Sequence, residues 1–471
     1  QEAAKAWSDG LRAGIDIPKE VAWTWLSLNP AKSLGIDDRT GSLKPGKMAD
    51  VVVWSDDPFS VYAKADQVFI DGALMFDRDH PTSVAALGLA AAPAYADTFV
   101  IRGETVWTGT AQGMIENGVV VIEDDRIVTV GGADTEVPGG ATEISAEWVT
   151  PGLIASFART GLVEVGAEDS TNDTAAAMSP FSAALNAADG FNPDATAIDV
   201  TRIEGFTRLV VVPNTGNALF AGQGFVADTS GDLDTELDEK AFTFIKLGEA
   251  GAGLAGGSRQ SAMTLLRAAL DDARSYPARY ITQNDGAVLN RIDAQALSPA
   301  ARGQQLILIE ASRASDLNAV MDLAEEEPSL KIVIVGADEA WRVAPRLAEM
   351  DIPVIINAFS NLPGSFEKLA ATSENAARLA AAGVTFAIAN VGDSSHQAHP
   401  LMWLVGTGIL WRSRLHPSLS SLPASSSHSS PAKRDCVTVI SAWMRVNGRA
   451  LLHGHNTKTW RERSDFRSVP A

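Results

Sequence analysis

Apolar and polar positions follow three different periods along this chain. Residues 2–14 carry apolar positions at helical spacing. Pro18 suits the first turn of a second helix, running through Val21, Ala22, Trp25 and Leu26 and ending near Asn29-Pro30. Gly41, Pro45 and Gly46 predict a turn, and Ala49 to Trp54 a short apolar strand. A further strand, Gln67 to Ile70, meets Asp71-Gly72 and continues through Phe76, which predicts a hairpin because this pair tolerates the positive φ of a two-residue turn. From Thr98 to Gly152 the pattern predicts three β segments, with a second hairpin where Val119–Ile122 and Arg126–Val130 flank Asp124-Asp125.

Beyond that point strands and helices alternate. Strands are expected at Val149–Ile154, Leu209–Val212, Leu306–Ile309, Ile332–Val335, Val354–Ile356 and Thr385–Ala389. Helices are expected at Arg259–Tyr276, Ala314–Glu325, Glu339–Glu349 and Glu367–Ala382. The later strands show no polar alternation, the pattern of a parallel sheet covered on both faces. The class is α/β, either a barrel of (β/α) units or a doubly wound sheet. The glycine-rich stretch 214–224 reads as a turn, with anion binding through backbone amides as the alternative.

Residues 83–96 break the pattern. They are uncharged, rich in Ala and Leu, and end in Ala94-Tyr95-Ala96. That is an apolar core followed by a small-x-small pattern, as in a signal peptide. The stretch is shorter than the roughly 20 apolar residues that span a bilayer, and its other reading is an Ala-rich linker or buried helix.

Composition sharpens the boundaries. The 471 residues carry 38 Lys and Arg against 58 Asp and Glu, a net charge of −20, which argues against a nucleic-acid partner. The single cysteine, Cys436, excludes an internal disulfide framework and a Cys-rich zinc module. Charge is uneven. Residues 401–471 hold ten Lys and Arg against three Asp and Glu and are rich in serine, so the preceding residues are more acidic than the total. This basic tail reads as disordered or out of frame. The histidines are uneven too: none lies between His80 and His396.

Several motifs carry a family resemblance. GSLKPGKMADVVVW with DPFSVYAKADQVFIDGALMFDR, residues 41–78, resembles the closing segment of an amidohydrolase, and NPAKSLGIDD, residues 29–38, the last barrel helix and turn before it. Residues 99–131 resemble the opening strands of the same superfamily, and WVTPGLIAS, residues 148–156, the entry into its first barrel strand. The likeness is nearest to the imidazolonepropionase-like branch. It implies an incomplete TIM-type (β/α)8 barrel with a small composite β-sandwich. The closing motif precedes the opening one. We therefore expect residues 1–80 to be the tail segment of one amidohydrolase and 81–97 a signal-peptide-like linker. Residues 98–148 would be the first sandwich strands of a second, 149–400 its truncated barrel, and 401–471 a frame-shifted tail. Residues 41–78 would then supply sandwich strands to 98–148, and the run at 83–96 would suggest a periplasmic origin.

The resemblance also implies a metal site. Amidohydrolases use one or two divalent metals, commonly zinc, to activate water and polarise a carbonyl. The family's first strand carries P-G-x-I-D-x-H-x-H. Here the two histidine positions hold Phe157 and Arg159, neither of which can ligate a metal. The fifth strand's histidine is Glu310, either a hard-metal ligand or an acid salt-bridged near Arg313. The sixth strand's histidine falls at the Gly336 region. The eighth strand's general-base aspartate finds its nearest match at Ala389-Asn390-Val391, with Asp393 either a displaced equivalent or a loop acid. His396 and His399 are a weak metal pair or a plain loop pair. Lys246 is a bridging carboxylated lysine or a surface charge.

Two readings follow. One is a hydrolase of a small amide, dipeptide or cyclic ureide, with candidate catalytic residues Glu310 and Asp393 and candidate metal ligands Glu310, His396 and His399. The other is a metal-free homologue that binds a small molecule, forms a homo-oligomer or accompanies an active amidohydrolase. No membrane span is expected in either.

Overall fold

The computed structural model describes residues 2–80, 98–164, 168–282, 286–360 and 362–391. The apolar run at 83–96, the tail from 401, and the candidates Asp393, His396 and His399 lie outside the described residues.

The first 80 residues form three short helices, α1 (Glu2–Arg12), α2 (Lys19–Trp23) and α3 (Leu28–Leu34), then three strands, β1 (Val51–Trp54), β2 (Ala65–Ile70) and β3 (Ala73–Asp77). Asn29-Pro30 opens α3 rather than closing α2, since Pro30 sits in a first turn where its missing N–H costs nothing. Four longer strands follow: β4 (Phe99–Trp107), β5 (Met114–Glu123), β6 (Arg126–Gly131) and β7 (Thr142–Pro151). All seven share one sheet in the order β3-β2-β1-β7-β4-β5-β6. The join is β1 running antiparallel to β7, with Val51 opposite Pro151 and Trp54 opposite Trp148. Both expected hairpins form, with positive φ at Asp71, Gly72 and Asp124. Gly72 is obligatory, because a Cβ there would lie 1.7 Å from the Asp124 carbonyl oxygen.

The strand expected over Val149–Ile154 is two strands. It breaks at Gly152, where a Cβ would meet Thr207 Oγ1 at 2.2 Å. There the chain leaves the seven-stranded sheet and starts an eight-stranded one: β8 (Leu153–Ala158), β9 (Phe206–Val211), β10 (Phe220–Asp228), β11 (Glu236–Lys246), β12 (Leu306–Ala311), β13 (Lys331–Gly336), β14 (Val354–Ile356) and β15 (Phe386–Ile388). The strands neighbour one another in chain order. β10 is antiparallel to both its neighbours, so the other seven run the same way. The stretch expected as a turn at 214–224 enters β10 from Phe220 onward. The helices shift as well: Glu339–Glu349 becomes a 3-10 turn and Ala344–Glu349, and Glu367–Ala382 shortens to Asn375–Ala381. Among the described residues, no helix is long and apolar enough to cross a membrane.

The sheet is almost a closed barrel. Ile307, Ile309, Ile332, Ile334, Val354 and Ile356 face the covering helices. Their neighbours Leu308, Val333, Val335 and Ile355 fill the interior with Phe242, Phe244 and Phe157, the period-2 alternation of a strand with both faces buried. The gap between β8 and β15 is bridged by α3, which touches both strands. Asn29 Nδ2 donates to the Phe386 carbonyl at 2.9 Å, and Ala31, Leu34 and Ile36 complete the interior core.

Two further contacts fasten residues 2–80 to the rest. Trp23 packs on Trp54, Phe59 and Trp107 at centroid distances of 5.5–5.9 Å, and Trp107 packs on Trp148 at 5.1 Å. Arg208, from β9, is 1 % exposed and donates to both oxygens of Asp50 at 2.9 Å. Asp71 accepts from the same guanidinium at 2.5 Å, and Asp228 lies 3.7 Å away.

That cluster has more acid than base, and burial raises the pKa of Asp228 and of Asp71. A carboxyl group with a raised folded pKa stabilises fully only below its ordinary value of 3.8, and this stabilisation is lost as pH climbs through the raised value. Asp228→Asn should therefore gain about 1 kcal/mol over the wild type at pH 8 and nothing near pH 4, in urea unfolding at the two pH values. A larger advantage at pH 4 would show that Asp228 titrates in the opposite sense.

Candidate functional site

In a sheet of this architecture the ligand site lies at the C-terminal ends of the parallel strands. The inward side of each end follows from the alternation just described. On β11, Phe242 and Phe244 face inward, so Lys246 does too; on β12, Leu308 faces inward, so Glu310 does too. Parallel pairing sets Lys246 directly opposite Glu310. Their charged groups approach to 3.6 Å, with the lysine side chain 16 % exposed and the glutamate 30 %. Neither residue holds the place expected of it in isolation. Lys246 is not a free surface charge, and the partner of Glu310 is Lys246, because Arg313 turns to Asp316 at 3.0 Å instead.

At the end of β8, Phe157 is 1 % exposed and packs edge-on against Phe244, while Arg159 is 3 % exposed with its guanidinium 5.3 Å from the Phe157 ring centre. At the end of β15, Ala387 and Ala389 face inward and Val391 packs against the same core. β13 ends in Gly336 at φ +89°, which a histidine side chain would strain. The loop after β14 crosses the same end of the barrel. Glu367 accepts the Glu249 backbone N–H at 2.7 Å and pairs with Arg259, and Lys368 reaches Asp338 at 3.0 Å.

These groups do not fit a divalent metal. Among the described residues the inward positions offer one carboxylate, already paired with an ammonium, together with a buried guanidinium, a phenyl ring and an aliphatic side chain. A metal site needs several neutral or anionic donors converging on one point. Among the described residues no three His, Cys, Asp or Glu side chains converge in that way. The positive charge that a metal would bring near Glu310 is supplied by Lys246. Removing it with Lys246→Met leaves Glu310 unpaired at a partly wet mouth, and we expect a loss of about 1 kcal/mol in urea unfolding. A loss of several kcal/mol would mean that the pair is buried in solution.

The motif positions Phe157, Arg159 and Glu310 were singled out in the sequence; Phe157 and Arg159 lie together at the end of β8, and Glu310 pairs with Lys246 at the end of β12. The Arg208 cluster was missed, although a lone arginine within the apolar run Leu209–Val212 that follows it, and an aspartate ahead of Val51–Trp54, were signals for it.

Comparison with known proteins fits this architecture. Residues 9–75 match the amidohydrolase family. Over 76 residues the chain is 42% identical to "Amidohydrolase tasK" of Hapsidospora irregularis, and over 63 residues 41% identical to the N-acetylglucosamine-6-phosphate deacetylase of Vibrio furnissii. These matches cover 16% and 13% of this chain, and only 7% and 14% of the two relatives. The fold is similar to that of an amidohydrolase from Thermotoga maritima MSB8, with a TM-score of 0.54 and 22% identity over 64% of this chain and 79% of that one.

Proposed function

We propose that this chain is a metal-free relative of the amidohydrolases that binds a small amide, dipeptide or cyclic ureide at its barrel mouth, or a catalytically competent partner subunit, without hydrolysis of its own. The carrying observation is the Lys246–Glu310 pair, which fills the mouth where the family's ligands would converge. Phe157 and Arg159 support it, since a buried guanidinium repels a divalent cation. An amide ligand suits such a mouth because it accepts from Lys246 and donates to Glu310 without either giving up its charge.

The nearest branch remains the imidazolonepropionase-like one by the motifs at 29–38 and 41–78. The pairing of β1 with β7 supports an origin in which the closing segment of one protein completes the sheet of its neighbour. Export to a periplasm belongs to the same reading and rests on residues 83–96 alone.

Calorimetric titration of the full chain with such amides, with and without a chelator and with product analysis, tests the binding reading. Saturable binding with unchanged ligand is the expected result. Turnover that the chelator abolishes would overturn it in favour of a zinc-dependent hydrolase of carbon–nitrogen bonds.

A further inference from the structure

A second group of charges lies on the same end of the barrel, outside the interior. The loops after β12 and β13 carry Arg313 and Arg342 onto an open cleft of about 480 Å³, lined otherwise by Ala314, Ser315, Asn318 and Val343. No acid lines it. The acids that touch the two arginines lie behind them and are already engaged. Asp316 is shared between Arg259 at 2.9 Å and Arg313 at 3.0 Å. Glu339, 3 % exposed at its side chain, accepts the backbone N–H of Ala314 at 3.0 Å and of Ala370 at 2.8 Å besides meeting Arg342 at 3.3 Å.

One acid contact each uses a small part of the five donors on a guanidinium. Arg313 Nε is buried with no hydrogen-bond partner among the described residues. The helix Ala314–Glu326 also opens on the cleft, and its N-cap position, Arg313, makes no side-chain capping bond. Its positive end therefore adds to the two charges already there.

We propose that this cleft binds a phosphate group, free or as the monoester of a small ligand. Two planar forks converging on one space suit a tetrahedral dianion, which offers separate oxygen edges to each guanidinium. A carboxylate satisfies one fork and leaves the other unpaired. The site is independent of what the Lys246–Glu310 mouth does, so either assignment can fail without the other.

Calorimetric titration of the full chain with inorganic phosphate, at low salt and in a phosphate-free buffer, tests it. The expected result is one saturable site with a dissociation constant of about 1 mM or tighter. Arg313→Gln with Arg342→Gln should weaken it at least tenfold. Arg267→Gln should leave it unchanged, because that arginine is held by Glu326 and is not among the residues lining the cleft. Should the double variant fold poorly, Arg342→Gln alone, at an exposed position, should still weaken binding severalfold. Glycerol 3-phosphate run in parallel separates the sources: tighter binding than phosphate indicates an ester ligand, and weaker binding a site for free phosphate. Absence of saturable binding, an unchanged constant in the double variant, or equal affinity for acetate would overturn the proposal.

Discussion

Replacing Arg208 with methionine is expected to remove about 3–5 kcal/mol of folding stability, the cost of leaving a buried carboxylate without its partner. Asp50 is 3 % exposed and, besides the guanidinium, is held by the Thr40 hydroxyl at 2.5 Å. Methionine fills part of the vacated volume but offers no donor. Asp50, Asp71 and Asp228 would then repel one another in a low-dielectric site. Urea unfolding of the full chain at pH 7 measures the loss. Because Asp50 precedes β1 and Arg208 sits on β9, the same variant should speed amide exchange in Val51–Trp54 along with β9. The double variant Asp50→Leu/Arg208→Met should recover a large part of the loss, since it removes the stranded charge. A loss under about 1 kcal/mol for Arg208→Met would mean that the cluster is hydrated and does not fasten the two segments.

Trp107→Ala should cost a similar amount, about 3–5 kcal/mol, for a different reason. Trp107 is 2 % exposed and touches rings from both sides of the join: Trp23 and Phe59 from residues 2–80, and Trp148 from β7. Its indole Nε1 is buried without a hydrogen-bond partner among the described residues, so its whole contribution is packing. The expected signature is lower stability together with loss of near-ultraviolet circular dichroism from the remaining tryptophans, because the cluster loosens as a unit. Trp107→Phe should cost much less, as it keeps most of the ring contact. Equal costs for alanine and phenylalanine would point instead to a specific need for the indole.

The strands that were legible in the sequence are those whose signal is local. Asp71-Gly72 and Asp124-Asp125 announce their hairpins because a positive φ is written into the residue type. The runs at β12 and β13 read as buried strands because they carry no polar alternation. β10 did not read as a strand, since its glycines look like a turn. Gly224 is there because a Cβ would lie 2.2 Å from the Phe242 ring, a contact made only after β10 and β11 pair. β11 was hidden by its charged beginning, Glu236 to Lys240.

The site divides along the same line. Phe157, Arg159 and Glu310 could be singled out because the family resemblance says where to look. The Lys246–Glu310 contact was not, because it exists only through the register of two strands far apart in sequence. The same holds for Arg208 and Asp50, where a charged residue finds its partner through tertiary pairing that no local pattern encodes. The two arginines of the outer cleft have local acids, three residues away, but their meeting at one cleft is likewise tertiary.

The most direct test of the proposed metal-free mouth is the zinc content of the purified full chain, by elemental analysis and native mass spectrometry after exposure to excess zinc and desalting. We expect no stoichiometric zinc retained in the wild type, and no change in melting temperature on adding a chelator. One tightly held zinc per chain, lost together with Glu310→Ala and with amide hydrolysis, would contradict the metal-free assignment.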